Sequence, residues 1–124
     1  PMPAEQPAAQ DFSVAGTTSA DATDFLAKLQ SAVAKNNKQD AAKLVQFPLR
    51  INQHGKSSFV KSKAEFVANY RTIFTNKIQQ VISKQQVQSL FVNSQGVMLG
   101  NGEVWARPAD PAKSQALKII VINH

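Results

Sequence analysis

The chain has 124 residues, enough for one domain to bury a core without disulfide or metal staples. Hydrophobic residues make up 43% and charged residues 18%, and no run approaches the ~20 apolar residues that cross a bilayer, so the reading contains no membrane-spanning helix. The 14 basic residues against 8 acidic ones give a net charge of +6, but they are scattered and densest only at Lys56, Lys61 and Lys63, which argues against a nucleic-acid partner.

Cysteine is absent, which excludes disulfides, thiol catalysis and thiolate metal sites. The chain opens on Pro1 without an initiator Met and carries no export-signal pattern, which reads as a processed end or a cloning remnant. Residues 1–20 are rich in Ala, Pro, Gln, Ser and Thr. They read as a flexible leader ahead of a domain spanning 21–124, because so little apolar surface cannot offset the entropy of ordering them. Phe12 and Val14 are the residues that could dock it. Leaders of this kind tether exported bacterial domains, so the expected location is periplasmic or secreted, with a cytoplasmic protein as the other option.

The spacing predicts a first helix over 22–36, capped by Asp21 or Thr23, with Phe25, Leu26, Leu29, Ala32 and Val33 on one stripe. A short second helix over 38–45 stops before Phe47-Pro48, and Pro48 suits the start of an edge strand. Residues 49–53 alternate, and His54-Gly55 turns the chain into 56–60, giving a hairpin. Ser62 and Glu65 have capping-box spacing and open a helix with Phe66, Val67, Tyr70, Ile73 and Phe74 on its buried stripe. Thr75 caps a continuation carrying Ile78, Val81 and Ile82.

From residue 87 to the end the pattern becomes strand. Two strands over 87–107 join at Asn93-Ser94-Gln95-Gly96, and Gly100-Asn101-Gly102 reads as a bulge that bends the second. The last strand, 117–123, is apolar on both parities: Leu117, Ile119 and Val121 on one face, Ile120 and Ile122 on the other. Such a strand is central, or its outer face meets another subunit. A homodimer through one parity of this strand is therefore expected. Helices early and strands late define an α+β domain, a curved, mostly antiparallel sheet packed on the N-terminal and central helices.

This pattern resembles the NTF2-like superfamily, also described as the SnoaL-like or cystatin-like cone. The helix-helix-strand opening carries it, with Phe47-Pro48-Leu49-Arg50-Ile51-Asn52, the Phe66…Tyr70…Ile73-Phe74-Thr75 helix, Gly102-Glu103-Val104-Trp105 and the final Ile-rich strand. The resemblance covers residues 21–123 and implies a cone with a pocket between sheet and helices. Its members include isomerases, dehydratases, transport adaptors and secretion components, so it does not select an activity.

Enzymes of that family place an Asp or His base, often with a Tyr, inside the apolar cone. Here Glu103 is the only acid on a predicted strand, and Tyr70 lies on a buried stripe. Against that stand a core tyrosine with a satisfied hydroxyl and a surface ion pair between Glu103 and Arg50. Trp105 is either a pocket wall or an interface residue. The ligand-facing set is therefore Tyr70, Glu103, Trp105, Arg50 and Asn52. His54 and His124 share no spacing that converges on a metal, and Gly100-Asn101-Gly102 lacks the Lys-Ser/Thr of a phosphate loop, so no metal and no cofactor are expected. The lead reading is a non-enzymatic binding or interaction domain for a small apolar ligand or a protein partner. The alternative is an isomerase- or lyase-type enzyme with Glu103 as base and Tyr70 as hydrogen-bond donor.

Overall fold

In the computed structural model, residues 11–110 and 112–124 are described. A 3₁₀ turn, Phe12–Ala15, leads into α1 (Ser19–Ala34) and α2 (Lys38–Ala42). The hairpin β1 (Val45–Gln53) and β2 (Lys56–Val60) follows, then α3 (Lys63–Ala68), α4 (Tyr70–Ile73) and α5 (Asn76–Lys84). A second 3₁₀ turn, Val87–Ser89, precedes the strands β3 (Phe91–Asn93), β4 (Gly96–Leu99), β5 (Val104–Pro108) and β6 (Leu117–Asn123).

The domain is α+β. Its six strands form one open mixed sheet in the order β2-β1-β6-β5-β4-β3, antiparallel everywhere except where β1 meets β6. β6 is central, as its two apolar parities predict. α1 brings Phe25, Leu26 and Leu29, and α5 brings Ile78 and Ile82, into one core with Val97, Leu99, Val104, Ala106, Ile119 and Ile122 of the sheet.

Local chemistry sets the helix ends. Thr18 caps α1 by accepting from the Asp21 amide at 3.0 Å, and its hydroxyl donates to the Asp21 carboxylate. The cap thus falls a few residues before the predicted Asp21 or Thr23. Ser62 accepts from the Glu65 amide, as the capping-box spacing predicts, while the Glu65 carboxylate accepts from the amide of Lys61, one residue before the Ser62 amide that a regular capping box uses. Thr75 caps α5.

Four expectations are corrected. Residues 11–20 belong to the folded domain: Phe12 and Ala15 are buried, α1 already begins at Ser19, and the buried Thr17 hydroxyl donates to the Gln115 carbonyl at 2.6 Å. Residues 1–10 of the expected leader lie outside the described residues. Gly100-Asn101-Gly102 is no bulge but the reversal between β4 and β5, with Leu99 opposite Val104 and positive φ at both glycines. β1 is an interior strand, and Pro48 lies where its pairing with β6 shifts register between Val45 and Arg50.

The fourth concerns the last strand. Ala106 pairs with Ile119 and Trp105 with Val121, so Ile120 is an extra residue that throws the alternation out of phase. Ile119 and Ile122 therefore both face the core, while Ile120 and Val121 line the opposite face.

Candidate functional site

The site is the sheet face turned away from the helices. Strand register fixes which side chains stand side by side there, because paired residues point to the same side. Phe59 of β2 pairs with Arg50 of β1, Arg50 with Val121 of β6, Val121 with Trp105 of β5, Trp105 with Met98 of β4, and Met98 with Phe91 of β3. These six residues make one unbroken row across the whole sheet. At about 4.8 Å per strand the row is about 24 Å long. Its ends are uncovered, with Phe59 52% and Phe91 51% exposed.

Polar residues flank the row. Arg50 Nε donates to Asn52 Oδ1 at 3.0 Å and its Nη2 to Ser57 Oγ at 3.1 Å, while Ser57 donates to Asn52 Oδ1 at 2.7 Å. Asn52 Nδ2 donates to Asn123 Oδ1 at 2.8 Å, and Asn123 Nδ2 to the Gly102 carbonyl at 2.6 Å. The Asn52 amide and the Ser57 hydroxyl thus tie the guanidinium to β1 and β2. A shallow groove of about 370 Å³ lies over it, walled by Arg50, Asn52, Trp105, Arg107, Val121 and Asn123, with Gln95 and Ile120 at its margins. Among the described residues, neither Arg50 nor Arg107 has a carboxylate partner; the two ion pairs, Lys28 with Asp24 and Lys43 with Asp40, lie on α1 and α2.

Of the five residues singled out in the sequence, the fold therefore unites Arg50, Asn52 and Trp105 and leaves two elsewhere. Glu103 is half-buried at the β4–β5 turn, where its carboxylate accepts from the Asn101 amide at 2.6 Å, and it lines a different groove with Lys84 and Gln85. Arg50 and Glu103 form no ion pair. Tyr70 is 1% exposed and sits in an aromatic cluster, edge-on to Phe66 at 5.8 Å and tilted against Phe74 at 5.4 Å. His54 turns the β1–β2 hairpin with φ of 52°, and His124 Nε2 lies 3.0 Å from the Ile73 carbonyl oxygen. No group of three His, Cys, Asp or Glu side chains able to hold a metal ion converges among the described residues.

The Tyr70 hydroxyl has no hydrogen-bond partner among the described residues. Burial raises its pKa above the usual tyrosine value, and the nearby Arg71 charge opposes that rise. An unpaired buried hydroxyl costs about 1–3 kcal/mol. Tyr70→Phe is therefore expected to stabilise the domain by about 1 kcal/mol, read from the urea midpoint. A loss of that size instead would reveal a partner for the hydroxyl. The pH dependence has a definite sign. Folded Tyr70 keeps a proton that the unfolded chain releases near pH 10, so the Tyr70 contribution to stability is flat below pH 10 and falls above it. Tyr70 is the only tyrosine, so subtracting the Tyr70→Phe profile isolates this fall.

Phe59, Phe91 and Met98 do not stand out in the sequence, and Val121 is legible there only as one apolar residue of the last strand. The alternation that would mark them as outward-facing is too short in β3 and β4 and is put out of phase by Ile120 in β6. No family model, no curated protein and no solved structure matches the chain.

Proposed function

We propose that the protein is a non-enzymatic interaction domain of the NTF2-like kind, and that its outer sheet face binds a second copy of itself. Support for the family reading comes from the order of elements, with two helices, a hairpin, a helical segment and a four-strand run, and from the helices packing on one side of the sheet. The row Phe59–Arg50–Val121–Trp105–Met98–Phe91 carries the functional reading. It has the same character from either end: Phe at both tips, a long flexible side chain next, and Val and Trp in the middle.

A two-fold axis along the strands between β5 and β6 would set Val121 on the partner's Trp105, Arg50 on the partner's Met98 and Phe59 on the partner's Phe91. Such an isologous contact closes after two copies. Each large apolar side chain it covers contributes roughly 1.5–3 kcal/mol before the entropy of association is counted. An apolar ligand in the cone is the weaker option, because Phe66, Tyr70, Phe74, Leu29 and Ile78 fill the interior. Enzymatic use of Glu103 with Tyr70 is weaker again, since the two share no hydrogen bond and line no common groove.

Sedimentation at tens of micromolar is expected to give twice the 13.5 kDa chain mass, and Trp105→Asp to give a folded monomer. The cysteine-free chain allows a sharper check. Phe59→Cys with Phe91→Cys, treated with a bismaleimide long enough to bridge sheets about 10 Å apart, should cross-link copies, and Phe59→Cys alone should not. A wild-type monomer at these concentrations would sink the reading.

A further inference from the structure

Arg107 of β5 and Lys118 of β6 are paired in register, next along the outer face from Trp105 and Val121. Arg107 stands between buried Ala106 and Pro108, and Lys118 between buried Leu117 and Ile119, so both side chains project from the outer sheet face. Side chains paired in this way leave the ladder about 5 Å apart, and like charges at that separation oppose the pairing. Neither side chain has a hydrogen-bond or carboxylate partner among the described residues. Arg50 differs, because Asn52 and Ser57 hold its guanidinium.

No acid on this face offsets the two charges. Their row continues to Gly96, beside Arg107, and then to Asn93. The row through Arg50 and Trp105, and the Ser57–Asn52–Asn123 row, also contain no Asp or Glu. Asp110, the nearest acid along the chain, lies beyond the end of β5 in a turn that also carries Lys113, so that turn adds no net negative charge.

An axis along the strands between β5 and β6 exchanges those two strands and keeps residues at the same level. It therefore sets Arg107 on the partner's Lys118 and Lys118 on the partner's Arg107. Both strands flank the axis, so the twist of the sheets displaces them least. Four cationic side chains, Arg107 and Lys118 from each copy, then project from both sides into a gap about 10 Å deep. Their heads lie well inside the Debye length of about 8 Å, where dissolved salt does not screen them. The gap needs a counter-charge, and Gly96 leaves room for it beside Arg107.

We propose that this dimer, on whose existence the site depends, holds a free multivalent oxyanion of the phosphate class on its two-fold axis, bound by Arg107 and Lys118 of both copies. A guanidinium fork holds two phosphate oxygens at once, and the ammonium groups add point charge. Chloride offers one charge and no second oxygen. Each copy provides half of the site, so the anion couples association of the chain to the phosphate available.

The test is sedimentation equilibrium of the full chain in sodium chloride and in sodium pyrophosphate at equal ionic strength, over a dilution series that reaches the monomer. The dimer dissociation constant is expected to fall about tenfold or more in pyrophosphate. Calorimetric titration of the wild-type chain should give one anion per two chains. Arg107→Gln with Lys118→Gln should abolish the difference between the salts and dimerise in chloride more tightly than the wild type, because the like charges are gone. Lys35→Gln with Lys84→Gln removes the same charge at the ends of α1 and α5 and should keep the wild-type response. Equal dissociation constants in the two salts, one anion per chain, a response that survives in the Arg107 and Lys118 variant, or one lost in the Lys35 and Lys84 variant would each overturn the anion site and leave the sheet-face dimer standing. A chain that is monomeric at tens of micromolar in both salts would sink the dimer and the anion site together.

Discussion

Gly96→Ala is expected to cost about 3 kcal/mol or more, enough to unfold a domain of ordinary stability at moderate urea. Gly96 ends the β3–β4 turn with φ of 141°, a region that L side chains rarely adopt. A methyl group added there would run into the backbone carbonyl oxygen of Ala106 on the neighbouring strand β5. Backbone oxygen in a central ladder cannot swing aside as a flexible side chain can, so the clash adds to the conformational strain. Gly55 is the control. It also has a positive φ, 77°, but nothing lies within 4 Å of the position its Cβ would take. Gly55→Ala therefore carries only the conformational term, about 1 kcal/mol. Similar urea midpoints for the two variants would show that the close approach at Gly96 is not what holds β4 against β5.

The second large effect is expected at Phe12. Phe12→Ala should lower stability by about 3–5 kcal/mol, the usual loss for a buried Phe. Phe12 is buried in the 3₁₀ turn that packs on β3 and β4, and Asp11 caps that turn by accepting from the Ser13 amide at 3.1 Å. A change below 1 kcal/mol would mean that residues 11–17 lie loosely on the domain and contribute little to its core.

What could be read in the sequence was local. The α1 stripe of Phe25, Leu26, Leu29, Ala32 and Val33, the Ser62–Glu65 and Thr75 caps, and the His54-Gly55 turn each depend on residues a few positions apart, and all are present in the fold. What failed depended on distant partners. Phe12 sits in a polar, Ala-rich stretch that looks uncommitted until β3 and β4 are folded beneath it. The glycines at 100 and 102 signal positive φ in either a bulge or a turn, and only the pairing of Leu99 with Val104 decides between them. Ile120 shows most clearly why alternation misleads: one extra residue reverses the facing of everything after it. The same non-local register assembles Arg50, Asn52 and Trp105 with Phe59, Met98 and Phe91, which no local pattern groups with them.

The place of β6 has a consequence for how the domain is made. Leu117–Asn123 is last among the described strands in the chain and third in the sheet, with β1 on one side and β5 on the other. While those residues are still in a ribosome tunnel or a translocation pore, the β1–β2 hairpin and the β3–β4–β5 ribbon have no strand between them. Each is then a short sheet with one apolar face and an open edge, poorly able to persist in water alone. Closing the sheet must also bring Arg50 to Val121 across roughly 70 residues of chain, a slow step for a small domain. The β1–β2 hairpin and the β3–β4–β5 ribbon therefore stay unjoined until β6 is free to insert between them, and holding factors that shield open strand edges would act on the chain in that interval.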